Sequence, residues 1–182
     1  MKTISKICCF LFCLLLLKQG NAQDVYRTQN GNMVITAVSA DTILKVTTKE
    51  LLVLLNYETA RFTMKMDKST FYTGNDSLDK KLALMKYDIV EFNGKLDVDH
   101  INTNGHPPLE FEVQGVISTN DNTISGTGKL EHISSRGTFS CLLTLKFNIK
   151  IDDLGLNVEE LKLKEDIQIE IVQIVLNKAE DQ

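Results

Sequence analysis

The chain has 182 residues, with 20 basic and 24 acidic side chains and a formal net charge of −4. An acidic chain without a basic stripe is a poor candidate for binding nucleic acid or an anionic membrane surface, and we exclude nucleic acid as a partner. The length suits one domain that buries a sizeable core.

The N-terminal segment has the pattern of a secretory signal peptide. Lys2 and Lys6 precede an apolar run at 7–17, and small residues follow up to Ala22. The run is too short for a bilayer, which needs about 20 apolar residues. We predict cleavage after Ala22. The remaining domain, residues 23–182, is then exported to the periplasm or, alternatively, secreted, and is not an integral membrane protein.

Cleavage would change the charge and the cysteine content. The predicted signal peptide carries three lysines and no acid, so the net charge falls from −4 to −7. It also removes Cys8, Cys9 and Cys13, which leaves Cys141 alone. An intrachain disulfide is then impossible, and the domain depends on its hydrophobic core.

Short runs with period-two alternation, separated by turn residues, predict an all-β domain. Turn residues cluster at 30–32, 39–41, 102–105 and 120–122. The predicted strands span residues 33–38, 42–47, 51–56, 60–67, 89–98, 109–118, 123–132, 138–151 and 166–176.

The segment 139–151 is the strongest strand prediction, because each odd position is apolar and nearly every even position is polar. At roughly 3.3 Å per residue, this strand spans about 40 Å and must bend. A sheet buries one face of such a strand by curling into a barrel, whose interior is either filled by side chains or kept as an apolar pocket.

One segment departs from the β pattern. Leu78, Leu82 and Met85 recur at helical spacing, and Asn75 or Asp76 is placed as the N-cap. We predict an amphipathic helix over 76–86 that lies over the sheet or across one barrel end. A second, shorter helical turn is predicted near 158–163.

The inward positions supply candidates for a ligand-facing wall. Methionine and phenylalanine adapt to flexible apolar chains, but they also fill ordinary cores, and the sequence leaves both interpretations open. The candidates are Phe62, Met64, Met66, Phe92, Phe111, Phe139, Cys141, Leu143 and Phe147.

Two possible chemical sites compete with simpler interpretations. Cys141 and His132 could form a nucleophile and base, but Cys141 lies on the apolar face of its strand, which favours core packing. His100 and His106 could share a zinc ion with Asp97 or Asp99, but loop polarity explains them better. We predict no catalytic residue, no metal and no cofactor.

Several segments resemble YceI-like domains and occur in the same order as in that family. Residues 67–75 resemble its strand end and Thr-Gly-Asn turn. Residues 107–111 resemble its proline and phenylalanine four apart, and residues 126–130 its Gly-x-Leu run. The turn at 154–156 and the strand at 165–171 resemble its closing elements.

This resemblance implies an antiparallel, lipocalin-like β-barrel of about eight or nine strands. It also implies that the barrel holds a long apolar ligand, a polyisoprenoid or fatty-acid derivative, without catalysis. The alternatives are an envelope interaction or structural module with a filled barrel, or an enzyme that acts on a lipid or small polar substrate. A homodimer is possible.

Overall fold

The computed structural model describes residues 24–39, 42–102, 107–135, 138–156 and 163–179. These residues form eight strands and one α-helix, α1 (Asp76–Ala83). Short 3₁₀ turns follow β3 (Lys68–Thr70) and β7 (Ile151–Leu154). The strands are β1 (Val25–Ser39), β2 (Thr42–Asn56), β3 (Arg61–Asp67), β4 (Ile89–Leu96), β5 (Leu109–Ile117), β6 (Thr123–Ser135), β7 (Thr138–Lys150) and β8 (Leu163–Lys178).

Each strand pairs antiparallel with its neighbours in the chain, and β1 also pairs with β8, which closes the barrel. Because the strands run up and down, every second connection lies at the same end. The connections after β1, β3, β5 and β7 share one end with α1, which we call the helix end. The connections after β2, β4 and β6 share the far end. The predicted all-β antiparallel barrel is therefore confirmed.

Most strand boundaries differ from prediction by a few residues, and the largest differences are in β1 and β2. The predicted strands at 42–47 and 51–56 are one continuous strand, β2, so eight strands are described rather than nine. The predicted turn at 30–32 is wrong, because these residues lie within β1, where the register with β2 shifts on both sides of Gly31. A β-bulge uses the same Asn and Gly residues as a turn, and long-range pairing decides between the two.

The alternation in β7 gives the predicted buried face. Its described odd positions from Cys141 to Ile149 are buried, whereas Lys146, Asn148 and Lys150 are exposed. The same holds in β3, where Phe62, Met64 and Met66 are buried and the residues between them are not. Both strands are thus walls with a dry inner face.

Glycines on β6 make room for aromatic rings inside the barrel. A Cβ atom at Gly126 would lie 2.4 Å from Phe147 Cδ1, and one at Gly128 would lie 2.5 Å from Phe111 Cζ. Both distances are well below the 3.5–4.0 Å at which carbon atoms pack. The Gly-x-Gly run at 126–128 is therefore a packing feature, because the two rings occupy the space its side chains would need.

Helix α1 forms at the predicted place and is capped as expected. The Asn75 side chain accepts hydrogen bonds from the backbone N–H groups of Ser77 and Leu78, at 3.1 and 3.2 Å. The helix ends at Ala83, three residues earlier than predicted. Leu82 is buried beneath it and Leu78 is half-buried, so α1 covers the helix end.

The remaining local predictions have mixed outcomes. The turn at 120–122 is confirmed, with Asp121 at φ 56° between β5 and β6. The turns at 39–41 and 102–105 and the helical turn near 158–163 fall largely outside the described residues, although Leu163 begins β8.

Candidate functional site

The predicted wall residues lie inside the barrel and contact one another. Phe62, Met64, Met66, Phe92, Phe111, Cys141, Leu143 and Phe147 are at most 5% exposed. The Phe92 ring centre lies 6.0 Å from that of Phe62 and 5.3 Å from that of Phe147. The side chain of Phe139 is outside the described part of the chain. In the middle of the barrel these residues form a packed aromatic core.

An enclosed apolar cavity of about 20 Å³ lies between this core and α1. That volume holds roughly one water molecule. Strands β1, β2 and β8, helix α1, the segment between the first 3₁₀ turn and α1, and the β7–β8 connection contribute to it. Its lining is Ile35, Ala37, Leu44, Val46, Phe71, Thr73, Leu78, Leu82, Ile151, Leu156 and Ile167. Thr73 alone among these residues is polar.

None of the predicted wall residues lines this cavity. Sequence patterning identified inward positions along the middle of the strands, whereas the cavity is formed where strand ends meet the connections of the helix end. The predicted helix did supply two lining residues, Leu78 and Leu82. The lining residues in β1, β2 and β8 also follow period two, so the sequence could have shown that they point inward. It could not have shown that a cavity lies between them and α1.

Hydrogen bonds to Thr73 tie α1 to the segment that precedes it. The Asp79 carboxylate accepts hydrogen bonds from the Thr73 backbone N–H at 2.7 Å and from its hydroxyl at 2.6 Å. These bonds hold the pKa of Asp79 below its usual value. An eight-residue helix is marginal on its own, so α1 depends on these bonds and on the burial of Leu82.

A buried lysine joins the segment after α1 to the β7–β8 connection. The Lys68 ammonium donates to Asp88 Oδ2 at 2.9 Å and to the Gly155 carbonyl at 3.1 Å. Gly155 has φ 60°, and a Cβ atom there would lie 2.9 Å from Lys68 Nζ. Glycine therefore satisfies both the left-handed backbone and the close approach of the lysine.

A buried carboxylate, that of Asp153, links two connections at the helix end. Together with Lys68 it forms what we call the frame of the helix end. Asp153 accepts hydrogen bonds from Asn120 Nδ2 at 2.7 Å, Asn122 Nδ2 at 2.9 Å and the Lys150 backbone N–H at 2.9 Å. Burial favours the neutral acid, but these donors outweigh it and lower the pKa of Asp153. The β5–β6 turn is thereby fixed to the β7–β8 connection.

The far end is sealed by aromatic and polar side chains. The Tyr26 and Tyr57 rings stack with their centres 4.1 Å apart, and Tyr57 Oη lies 3.0 Å from His132 Nε2. The Tyr57 carbonyl accepts a hydrogen bond from the N–H of Ile101, which is itself buried. Tyr26, Tyr57, Ile101 and His132 therefore pack closely at the far end, and we call them the plug, whereas the helix end has a cavity.

The plug brings Cys141 and His132 opposite each other in the β6–β7 register, with Tyr57 beside them. Burial raises the pKa of the Cys141 thiol to about 12, and burial also raises the pKa of Tyr57. Because the thiolate is the reactive form, a thiol that stays protonated at neutral pH is a poor nucleophile. The geometry thus agrees with the core-packing interpretation of Cys141.

Asp97 and His100, two of the residues considered for a zinc site, lie in the β4–β5 connection. His100 is exposed, and His106 lies outside the described residues. The Asp97 carboxylate accepts a hydrogen bond from the Glu112 backbone N–H at 3.0 Å. Within the described ranges, no three His, Cys, Asp or Glu side chains are grouped so that they could hold a metal ion.

A larger groove, of about 460 Å³, lies on the outer wall of β5, β6 and β7. It is open to solvent, and five charged residues are among those that line it: Asp97, Glu110, Glu112, Lys129 and Lys146. An apolar ligand would remain partly hydrated there. The cavity beneath α1 is smaller, but its enclosed apolar lining is the better surface for an apolar ligand.

The fold and cavity together define the class: a closed, lipocalin-like antiparallel β-barrel whose end is covered by a short helix. The solved structures that are similar to it include the following two. A polyisoprenoid-binding domain from Saccharophagus degradans, implicated in plant cell wall breakdown, gives a TM-score of 0.65 at 9% identity, covering 87% of this chain and 99% of that chain. A mutant CJ YCEI protein with a monobromobimane guest gives 0.54 at 14% identity, covering 74% and 85%.

The predicted resemblance to YceI-like domains is confirmed at the level of the fold. No protein-family model and no curated protein matches the chain. Among the residues that the structure describes, no helix is long and apolar enough to cross a membrane.

Proposed function

We propose that this protein is an exported, non-catalytic barrel that binds a long apolar molecule, a polyisoprenoid or fatty-acid derivative, through the helix end. The observation that carries the proposal is the enclosed cavity between α1 and the core, ten of whose eleven lining residues are apolar. Burying an apolar chain there supplies roughly 25 cal/mol per Å² without any polar group. The signal-like N-terminus supports export.

The far end is an unsuitable entrance, because Tyr26, Tyr57 and Ile101 close it with stacking and hydrogen bonds. At the helix end, Leu82 of α1 is buried, and Leu78 of α1 and Met85, which follows the helix, are partly buried. Burial of that size stabilises the closed position by on the order of 4 kcal/mol. A domain is stable by about 5–15 kcal/mol, so α1 can open locally while the barrel stays folded.

The cavity is too small for such a ligand as it stands. Binding therefore requires α1 to move outward and the side chains below it to repack. Met64 and Met66 lie in the adjacent core, and methionine adopts new rotamers readily. The predicted wall residues then become ligand contacts in the bound form. One of the similar structures is named as a polyisoprenoid-binding domain, and the other as a protein with a monobromobimane guest. These names support a ligand-binding role for the barrel of this chain.

The first test is organic extraction of the purified protein followed by mass spectrometry, combined with titration by dansyl-undecanoic acid. We expect an extracted lipid or saturable enhancement of probe fluorescence that farnesol displaces. An empty extract together with no binding of either compound would refute the proposal.

Two substitutions of cavity-lining residues should change probe binding: one should speed uptake and the other should lower affinity. Leu82→Ala loosens α1 and enlarges the cavity, so probe uptake should accelerate. Ala37→Leu adds methyl groups to a lining position that is 1% exposed, so probe affinity should fall. Leu84→Ala is the matched control, because Leu84 is on the same segment but 84% exposed. Equal uptake by all three variants, with folding confirmed by circular dichroism, would contradict binding at this end.

The packing of Phe62, Phe92 and Phe147 favours a second candidate, an envelope interaction or structural module with a filled barrel. This alternative predicts that no lipid is extracted and that a protein partner is recovered in pull-downs. It also predicts that Ala37→Leu leaves function unchanged.

A further inference from the structure

The surface around α1 has an unusual composition. Of the large apolar side chains in the described ranges, the five most exposed all lie at the helix end: Tyr87 at 87%, Leu84 at 84%, Ile43 at 66%, Tyr72 at 64% and Ile89 at 49%. They come from the β1–β2 and β3–β4 connections and the strand ends beside them. Single exposed apolar residues are ordinary, but this concentration at one end indicates a contact surface.

The charges of this segment are arranged to complement an anionic surface. Residues 80–87 contain three exposed lysines, Lys80, Lys81 and Lys86, and no acid. Of the three acids nearest to this segment, Asp76 is exposed at the start of α1, whereas Asp79 and Asp88 are occupied within the protein. Asp79 accepts hydrogen bonds from Thr73, and Asp88 pairs with Lys68. The net charge of −7 that remains without residues 1–22 describes the whole domain, and residues 80–87 depart from it.

The backbone holds the most exposed of these rings outward. Tyr87 has φ 66°, in the left-handed region that bulky residues rarely adopt. Its N–H donates to the Asp67 carboxylate, which also accepts hydrogen bonds from Ser69. Asp67 thus fixes an uncommon turn whose effect is to present a tyrosine to solvent.

We propose that the helix end docks on an anionic lipid bilayer surface, with Leu84 and Tyr87 inserted among the headgroups and the lysines facing the phosphates. Exposed apolar and aromatic side chains beside lysines are the combination that binds membrane interfaces. The inference goes beyond the proposed function, since docking requires no ligand inside the barrel. If both hold, α1 opens directly against the bilayer.

The test is flotation of the purified protein, lacking residues 1–22, with vesicles of phosphatidylglycerol and phosphatidylethanolamine or with phosphatidylcholine alone. We expect flotation with the anionic vesicles that declines with added salt, and little with phosphatidylcholine. The double variant Leu84→Glu/Tyr87→Glu should bind at least about tenfold more weakly. Lys80→Gln/Lys86→Gln should lose about fivefold per lysine.

Val172→Glu/Val175→Glu is the matched control. Both valines are exposed, at 43% and 45%, but they lie on β8, in the barrel wall. This control should float like the unchanged protein. No flotation with anionic vesicles, or equal flotation by Leu84→Glu/Tyr87→Glu, would overturn the proposal. So would a dimer in sedimentation that this variant abolishes, because the surface would then serve a second copy of the chain.

The outcome is independent of the ligand experiments. Probe binding without vesicles should be unchanged in Leu84→Glu/Tyr87→Glu. Flotation with no probe binding would retain docking and refute the internal ligand. Probe binding with no flotation would do the reverse.

Discussion

Substituting Gly128 by alanine tests whether the barrel interior is as tightly packed as its geometry indicates. The added Cβ atom would lie 2.5 Å from Phe111 Cζ and 2.6 Å from Leu145 Cδ2. Both contacts require a shift of about 1 Å to reach the normal carbon separation. Overpacking of this kind costs about 1–3 kcal/mol, and removing glycine from a strand returns roughly 0.5–1 kcal/mol. The expected net loss is about 1–2 kcal/mol.

Phe111→Leu supplies the rescue. Alone it should cost about 1–2 kcal/mol, because it removes part of a buried ring whose loss to alanine costs about 3–5 kcal/mol. In the double variant the shorter side chain leaves space for the methyl group added at position 128, so the combined loss should fall short of the sum by about 1 kcal/mol. Urea unfolding followed by circular dichroism measures all four proteins. The Gly128→Ala midpoint should drop by about 0.5–1 M. Strictly additive losses, or a more stable Gly128→Ala variant, would refute the proposed contact.

Two further predictions concern the frame of the helix end. Lys68→Met should lower the free energy of unfolding by about 1–3 kcal/mol, because it leaves the Gly155 carbonyl without its donor. Lys65→Met removes a solvent-exposed ion pair with Glu91 and should cost under about 1 kcal/mol. Equal losses of unfolding free energy for Lys65→Met and Lys68→Met in urea would contradict a stabilising role for the bonds of Lys68. The lowered pKa of Asp153 stabilises the fold above the unfolded-state value of about 3.9, and this contribution is lost as the pH falls through the folded-state pKa. Asp153→Asn should therefore flatten the fall of stability below about pH 4, and an unchanged slope would argue against its role.

Period-two patterning was sufficient to predict the barrel wall. The inward faces of β3 and β7, and of β8 as far as Ile171, follow from alternation alone, since a strand with one dry face admits a single register. Beyond the register shift near Gln173, the buried positions of β8 are Ile174 and Leu176, which alternation does not predict. The N-cap of α1 was also predictable, because capping depends on residues adjacent in the chain.

Whether the wall encloses a void could not be predicted. That depends on rings from distant strands, such as Phe92 and Phe147, meeting across the interior. Lys68 shows the same limit. A lysine after a strand is normally a surface residue, and its burial depends on Gly155, which lies 87 positions further along the chain. The Asn-Gly-Asn run in β1 fits a turn or a bulge equally well on local grounds, and the partners β2 and β8 decide it.

The contrast between the two barrel ends links these observations to function. The far end is closed by stacked rings and buried hydrogen bonds, so opening it would disrupt the core itself. Among the described residues, the helix end is closed by the eight-residue helix α1, by its buried Leu82 and by the hydrogen bonds of Lys68. If the protein binds a lipid as proposed, loading requires opening, because the cavity of about 20 Å³ cannot accept a lipid while α1 is closed. The rate of ligand uptake should therefore follow the stability of the α1 contacts, and not that of the aromatic core.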